Sequence, residues 1–206
     1  MATVYILTNE AMPGLVKIGI TTTEVAQRML SLDTTGVPLP FECYYAAEVE
    51  DAVRVEKALH VALGDHRVRP SREFFTVDPY RAKAVLELVA IRDVTPRDEV
   101  TESSEDSDAL QRSREMRAPF RFSLADVPIG AELFFARDPA QIAIVVEDRA
   151  ITFRDQLTSL SQAALTILHE MGYTWRTVPG PNFWLYLGET LSDRRRMVEQ
   201  RLAEAE

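Results

Sequence analysis

Two short apolar runs near the N-terminus, Val4-Tyr5-Ile6-Leu7 and Val16-Lys17-Ile18-Gly19-Ile20, constrain this chain more than any other feature. The segment between them, Thr8 to Leu15, holds Asn9 and the turn pair Pro13-Gly14, so the runs read as strands of one antiparallel hairpin. With a side-chain period of two, Val16, Ile18 and Ile20 take one face of the second strand and Lys17 takes the other. Val4 and Ile6 alternate with Tyr5 in the same way. A hairpin centred near residue 11 sets Tyr5 opposite Lys17, about 5 Å apart on one face. A phenol facing an ammonium beside a glycine looks like a site rather than packing.

The rest of the chain reads as two modules. Thr22-Thr23 with Glu24 opens a helix, and Val25, Ala26, Met29, Leu30 and Leu32 follow helical spacing. Phe41 to Ala46 reads as a strand. Asp51 caps a second helix striped by Ala52, Val55, Ala58, Leu59, Ala62 and Leu63, and Gly64 stops it. Phe74 to Val77 is a short strand, and Asp78-Pro79 opens a third helix reaching about Ile91. The expected architecture is therefore α+β: a small antiparallel sheet flanked by helices over residues 1–92. Residues 93–118 hold eight acidic and four basic side chains, including Arg112, Arg114 and Arg117, the composition of a solvated, mobile acidic linker. Residues 119–190 read as a second small α+β domain starting near Pro119. Its strands fall at Phe120–Leu124, Glu132–Ala136, Ile142–Val146, Ile151–Phe153 and Phe183–Leu187, with a turn at Glu147-Asp148-Arg149. Ser159 and Gln162 form a capping box before its helix. Residues 191–206 form an exposed helical tail.

A net charge of −9 excludes a protein that simply coats nucleic acid, because phosphate binding needs clustered Lys and Arg. Any such surface is a local patch, and His66 to Arg72 is the one basic run in the first module. One cysteine, Cys43, excludes an internal disulfide framework and suits a reducing compartment; it reads as buried in its strand. No apolar run approaches the ~20 residues that span a bilayer, and the N-terminus enters a strand without a basic leader. A soluble, cytoplasmic protein without membrane contact is expected.

Val4-Tyr5-Ile6 and Lys17-Ile18-Gly19, with eleven residues between Tyr5 and Lys17, resemble the paired signature of the GIY-YIG nuclease superfamily. Lys17 stands where most members carry a second tyrosine. The run Lys17 to Thr21, the stretch Leu32 to Phe41 and Arg72-Glu73-Phe74-Phe75 are similar to a divergent phage and bacterial branch with K-I-G in place of Y-I-G. This resemblance covers about the first 90 residues. Ile129 to Leu133, Ser159 to Ala164 and Gly180 to Trp184 resemble a small accessory domain found with restriction enzymes and adenine methylation.

The resemblance implies a metal-dependent DNA endonuclease with a DNA-targeting module, in restriction or phage-related processing. Phosphodiester hydrolysis needs an activated water, charge stabilisation on the phosphate and help for the leaving oxygen. Arg28 maps onto the helix arginine that contacts the scissile phosphate, and Glu56 onto the single metal-binding glutamate. His60 lies one turn further along the same face and completes the metal shell, donates to the phosphate or acts as base. A lone carboxylate favours Mg²⁺ or Mn²⁺. Tyr5 is the general base or proton relay, with Lys17 favouring its phenolate and contacting phosphate. Arg67, Arg69 and Arg72 read as backbone contacts. Trp184 and Tyr186, with Trp175, are the stacking candidates of the second domain, and Arg154 and Arg176 its phosphate contacts. Many members carry a late asparagine, and Glu73 stands near that place.

Singly, each residue has an ordinary structural account: a packed strand tyrosine, a solvated lysine, a surface Glu–His pair, core aromatics. Their joint order points to a site. Two readings stand beside the nuclease: a nucleic-acid-binding protein on a degenerate nuclease fold, and a regulatory or assembly protein. DNA is the expected partner, with RNA left open. Cutting duplex with one site per chain calls for a homodimer or successive visits.

Overall fold

The computed structural model describes residues 2–116 and 120–204. The chain is α+β, with two antiparallel sheets and, among the described residues, six α-helices. It divides into two compact units, Met1–Ser113 and Arg114–Glu206.

The first unit is built on a five-stranded sheet of order β4-β2-β1-β3-β5. Its strands are β1 (Ala2–Asn9), β2 (Val16–Thr21), β3 (Phe41–Val49), β4 (Phe74–Phe75) and β5 (Arg92–Asp93). The helices are α1 (Val25–Leu32), α2 (Ala52–Ala62), α3 (Pro79–Glu87) and α4 (Ser104–Met116). The β1–β2 turn is fixed by Asn9, whose Oδ1 accepts from Ala11 N–H at 2.8 Å while Nδ2 donates to Leu39 O at 2.5 Å. Gly14 supplies the positive φ of 77° that the turn needs. Strand alternation then separates two cores. Tyr5, Leu7, Phe41 and Cys43 pack with Val25 and Met29 of α1. Val4, Ile6, Val16 and Ile18 pack with Leu59 of α2 and Ala82 and Leu86 of α3 on the other face. Between Ile6 and Leu7 the pairing with β3 skips Tyr44, a bulge that keeps both faces in phase.

Capping follows the sequence where a carboxylate is involved. Asp51 Oδ1 accepts from Arg54 N–H at 3.0 Å, and Asp78 Oδ1 from Tyr80 N–H at 2.8 Å with Pro79 in the first turn. The α3 helix stops at Glu87, before the expected Ile91.

The segment 93–118, expected to be a mobile linker, carries hydrogen-bonded structure in its described part. Val94 N–H donates to Ala46 O at 2.9 Å and Ala46 N–H to Thr95 Oγ1 at 3.0 Å, so the first sheet draws in chain beyond residue 92. A helix, α4, follows, with Asp106 Oδ2 accepting from Ser103 N–H at 2.9 Å. Composition signals solvation of this segment and is blind to hydrogen bonds made through one buried threonine. The expected domain start at Pro119 and the linker residue Arg117 lie outside the described residues.

The second unit carries a six-stranded sheet, β11-β10-β6-β7-β8-β9. These are β6 (Glu132–Phe135), β7 (Asp138–Glu147), β8 (Ala150–Phe153), β9 (Gln156–Thr158), β10 (Trp184–Tyr186) and β11 (Glu189–Thr190). Helix α5 (Leu160–Glu170) lays Leu160, Ala163, Ala164, Ile167 and Leu168 into its core, capped by Ser159 as the sequence implies. Helix α6 (Leu191–Glu204) closes the described chain; Leu191 and Asp193 are buried, so its first turn belongs to the packed unit.

Two expectations fail here for identifiable reasons. Phe122–Ala125 is a 3₁₀ turn rather than a strand. Phe122 and Ala125, three residues apart, are its buried positions, and Asp148 accepts from Phe122 N–H and Ser123 N–H. Trp184 is not a stacking platform for bases: it is wholly buried, and its indole N–H donates to Leu160 O at 3.0 Å. It meets Phe135 and Phe153 edge to face, which commits its ring to the core. Tyr186 is half-exposed, with the Arg194 guanidinium 4.9 Å from its centroid. Arg154 is held by Glu170 at 2.6 and 2.8 Å and by Gln141.

Trp184→Ala lowers the stability of the second unit by about 3–5 kcal/mol, the usual cost of emptying a buried aromatic site. Urea denaturation followed by near-UV circular dichroism measures it; an unchanged transition would return Trp184 to the surface.

Candidate active site

Three consecutive residues of β2 each fix one part of the candidate site. The first contact is at Gly19. The hairpin register pairs Tyr5 with Gly19 and Leu7 with Lys17, so its centre lies at residue 12 rather than near 11. Tyr5 and Lys17 keep the same face but stand as diagonal neighbours, for which ~7–8 Å is usual. The Tyr5 ring lies across Gly19: a Cβ built there would fall 2.6 Å from Oη and 2.8 Å from Cζ. Any side chain at 19 would displace the phenol. From α1, Arg28 Nε donates to Tyr5 Oη at 3.3 Å, and Arg28 Nη1 to Ser31 Oγ at 3.3 Å. The cation on the phenol is thus the guanidinium of Arg28, not the ammonium of Lys17. Tyr5 itself is 1% exposed. Arg28 is half-exposed and lines an open hollow of about 530 Å³ together with Ile20, Thr21, Thr22, Thr23, Gln27 and Ser31.

The second contact is at Lys17, which is 7% exposed. Its Nζ is hydrogen-bonded to Glu73 and lies 5.4 Å from the Phe74 centroid. Strand β4 pairs β2 at Val16 and Lys17, and Ile18 N–H donates to Glu73 O at 3.0 Å. Backbone and side chain together therefore place Glu73 at the end of β4.

The third contact is at Ile18, whose carbonyl faces His60 Nε2 of α2 at 3.2 Å. A carbonyl only accepts, so Nε2 carries the proton, and in the neutral imidazole Nδ1 is the acceptor. The imidazole also packs on Phe75, ring centroids 5.0 Å apart. Glu56 lies one turn earlier on α2, half-buried, and forms no ion pair or hydrogen bond among the described residues. Burial pushes its carboxyl above the ordinary value of 4.5; Glu73 adds to this, while His60, Lys17 and Arg67 oppose it. Those four groups are its electrostatic surroundings.

The expected residues thus gather as two groups. Tyr5, Arg28 and the hollow lie on the α1 side of the sheet, and Glu56 and His60 on the α2 side. Glu73 and Lys17 stand at the edge between them. Beyond Ile18 the outer edge of β2 has no strand partner among the described residues, so the sheet offers no wall there. Among the described residues, no group of three or more His, Cys, Asp and Glu side chains is placed to hold a metal ion. Glu56 offers one carboxylate that is unpaired among the described residues. This fits a cation such as Mg²⁺ that keeps most of its waters and does not fit a closed protein cage.

Of the basic run, Arg67 Nε donates to Arg72 O at 2.7 Å, and its guanidinium lies 5.6 Å from the Phe75 centroid. Arg69 and Arg72 are exposed. Sequence reasoning missed two participants. Glu73 has no assigned role in the R-E-F-F run, and Thr22-Thr23 reads from sequence only as a helix start.

Residues 2–90 match the family model described as the T5orf172 domain, a domain of the GIY-YIG and homing-endonuclease-like nuclease group. The match spans β1 through α3 and includes every candidate residue of the first unit. A comparison with curated proteins finds no match.

Two outcomes follow from this geometry. Gly19→Ala costs about 1–3 kcal/mol of stability through overpacking, and the cost vanishes in a Tyr5→Ala background, as a double-mutant cycle in urea shows. Glu56 titrates above the ordinary glutamate range in a carboxyl ¹³C NMR titration, and Glu73→Gln moves it down. Because folding raises this carboxyl, wild type is most favoured over Glu56→Gln at acid pH; the advantage fades as pH rises through the folded value. A Glu56 resonance at or below 4.5 contradicts the assignment.

Proposed function

We propose that the first unit is a metal-dependent endonuclease domain of GIY-YIG type that hydrolyses DNA phosphodiester bonds, and that the second unit contributes to targeting. The observation that carries this reading is the Arg28 guanidinium, which touches Tyr5 Oη and faces the open hollow. A fixed, half-exposed cation backed by a buried phenol is suited to charge that develops on a phosphate.

Arg28 grips the scissile phosphate and neutralises charge on its non-bridging oxygens. Tyr5 holds Arg28 in place by accepting from its Nε at Oη. The attacking water forms its bond to phosphorus as the bond to the leaving sugar oxygen breaks. His60 Nδ1 accepts the water's proton, and the leaving oxygen takes a proton from solvent. Glu56 would hold a Mg²⁺ or Mn²⁺ ion, which supplies Lewis-acid help to the leaving oxygen. Lys17 positions Glu73 and balances its charge beside Glu56, so its role is to position rather than to contact phosphate. Arg67, Arg69 and Arg72 add backbone contacts that carry no sequence information. Restriction or phage-related processing, and a dimer that cuts both strands, complete this proposal.

A second reading has an observation of its own. The buried Lys17 ammonium and the buried Tyr5 suit a module that binds nucleic acid without cutting it.

Nicking of supercoiled plasmid with Mg²⁺ or Mn²⁺ separates the two. Wild type nicks; Glu56→Gln and Arg28→Gln lose about 10²–10³-fold, the scale for removing one electrostatic catalytic group, while a labelled duplex still binds Glu56→Gln. Binding by wild type without any metal-dependent nicking sinks the hydrolase reading and favours the second.

A further inference from the structure

The hollow beside Arg28 is larger than one phosphate contact requires, and its lining has a uniform chemistry. Thr22, Thr23 and Gln27 are exposed there, and Ser31 adds a further hydroxyl. Thr23 Oγ1 is turned back to Thr21 Oγ1 at 3.0 Å, whereas Thr22 and Gln27 make no hydrogen bond through their side chains among the described residues. Arg28 uses Nε on Tyr5 and Nη1 on Ser31, leaving Nη2 without a partner among the described residues. The backbone adds a donor. Ile18 directs its N–H and carbonyl to the outer edge of β2, toward Glu73 and His60. By alternation Ile20 directs its own pair to the same edge, beyond the last residue that β4 covers. Ile20 lines the hollow.

We infer that this hollow is a subsite for the nucleic-acid backbone, holding the phosphate next to the scissile one through Thr22, Gln27, Arg28 Nη2 and the Ile20 amide. The inference rests on the nucleic-acid reading proposed above and deepens it. The donors are neutral apart from one guanidinium, and no aromatic side chain lines the hollow. Its ligand is therefore a phosphodiester with its sugar, bound without regard to base identity. This also suits a chain of net charge −9: hydroxyl and amide donors grip a phosphate without the dense positive field that counterion release exploits.

The test is fluorescence anisotropy of the full chain with a labelled mixed-sequence oligonucleotide in EDTA, where no cleavage intervenes. Thr22→Val/Gln27→Ala weakens binding about tenfold, the loss of one or two hydrogen bonds to a charged group, at an unchanged slope of log K against log salt. Arg28→Gln weakens binding and reduces that slope by about one. Thermal melting of the double variant matches wild type, since both positions are exposed. Equal binding by double variant and wild type overturns the subsite, as does an oligonucleotide that fails to bind wild type. Inorganic phosphate that shifts the Thr22 amide resonance while the oligonucleotide does not assigns the hollow to free anions and overturns it as well. Binding sensitive to these variants in a protein that nicks no plasmid leaves the subsite standing and removes only the catalytic reading.

Discussion

The contact between the Tyr5 ring and the bare backbone at Gly19 is the constraint from which the site's geometry follows. A strand pair leaves about 5 Å between directly opposed side chains, and a phenol folded flat over its neighbour fits only if that neighbour has none. With the ring lying there, Oη comes within reach of Arg28 on α1. The guanidinium is then fixed at two nitrogens beside the hollow that Arg28 lines. A residue with any side chain at 19 would lift the phenol, and the arginine would lose its backing.

The same strand settles the charges. Lys17 is buried beside Phe74 and would be costly there without a partner; Glu73 supplies one. That pair lets a second carboxylate stand near Glu56 without forcing both to ionise unopposed. Glu56 keeps a raised carboxyl and makes no ion pair among the described residues, the state in which a carboxylate is available to a cation. A tyrosine at position 17 would hold no charge against Glu73. The lysine and the glutamate therefore act as one unit, each supplying the charge that the other needs.

The second unit differs in kind. Its aromatics pack around Trp184, and two of its arginines are drawn into pairs, Arg154 with Glu170 and Arg194 with Glu189. Its β10–β11 turn rests on Leu187 and Gly188, both at positive φ, the backbone that a two-residue hairpin demands. The six strands and α5 enclose one continuous core. The chemistry that points to nucleic acid lies in the first unit, among residues gathered on and around β2.

Local chemistry in the chain already determined a good deal. Alternation over Val4–Leu7 and Val16–Ile20 specified the hairpin, because a one-residue slip would turn every apolar side chain out of the core. Asp51, Asp78-Pro79 and Ser159 specified helix starts, because each cap is satisfied within three residues. Resemblance to a nuclease signature, carried by short motifs in order, marked Tyr5, Lys17, Arg28, Glu56 and His60 as the residues to watch. Strands of two or three residues, β5, β9 and β11, left no periodic signal, and the 3₁₀ turn at Phe122 imitated an alternating strand. Tertiary structure alone decided who meets whom. The register moved Lys17 one pair away from Tyr5, burial gave Trp184 to the core, and packing handed the phenol to Arg28 and the ammonium to Glu73. Those choices depend on groups 23 and 56 residues apart in sequence, and nothing in a local pattern encodes a distance of that kind.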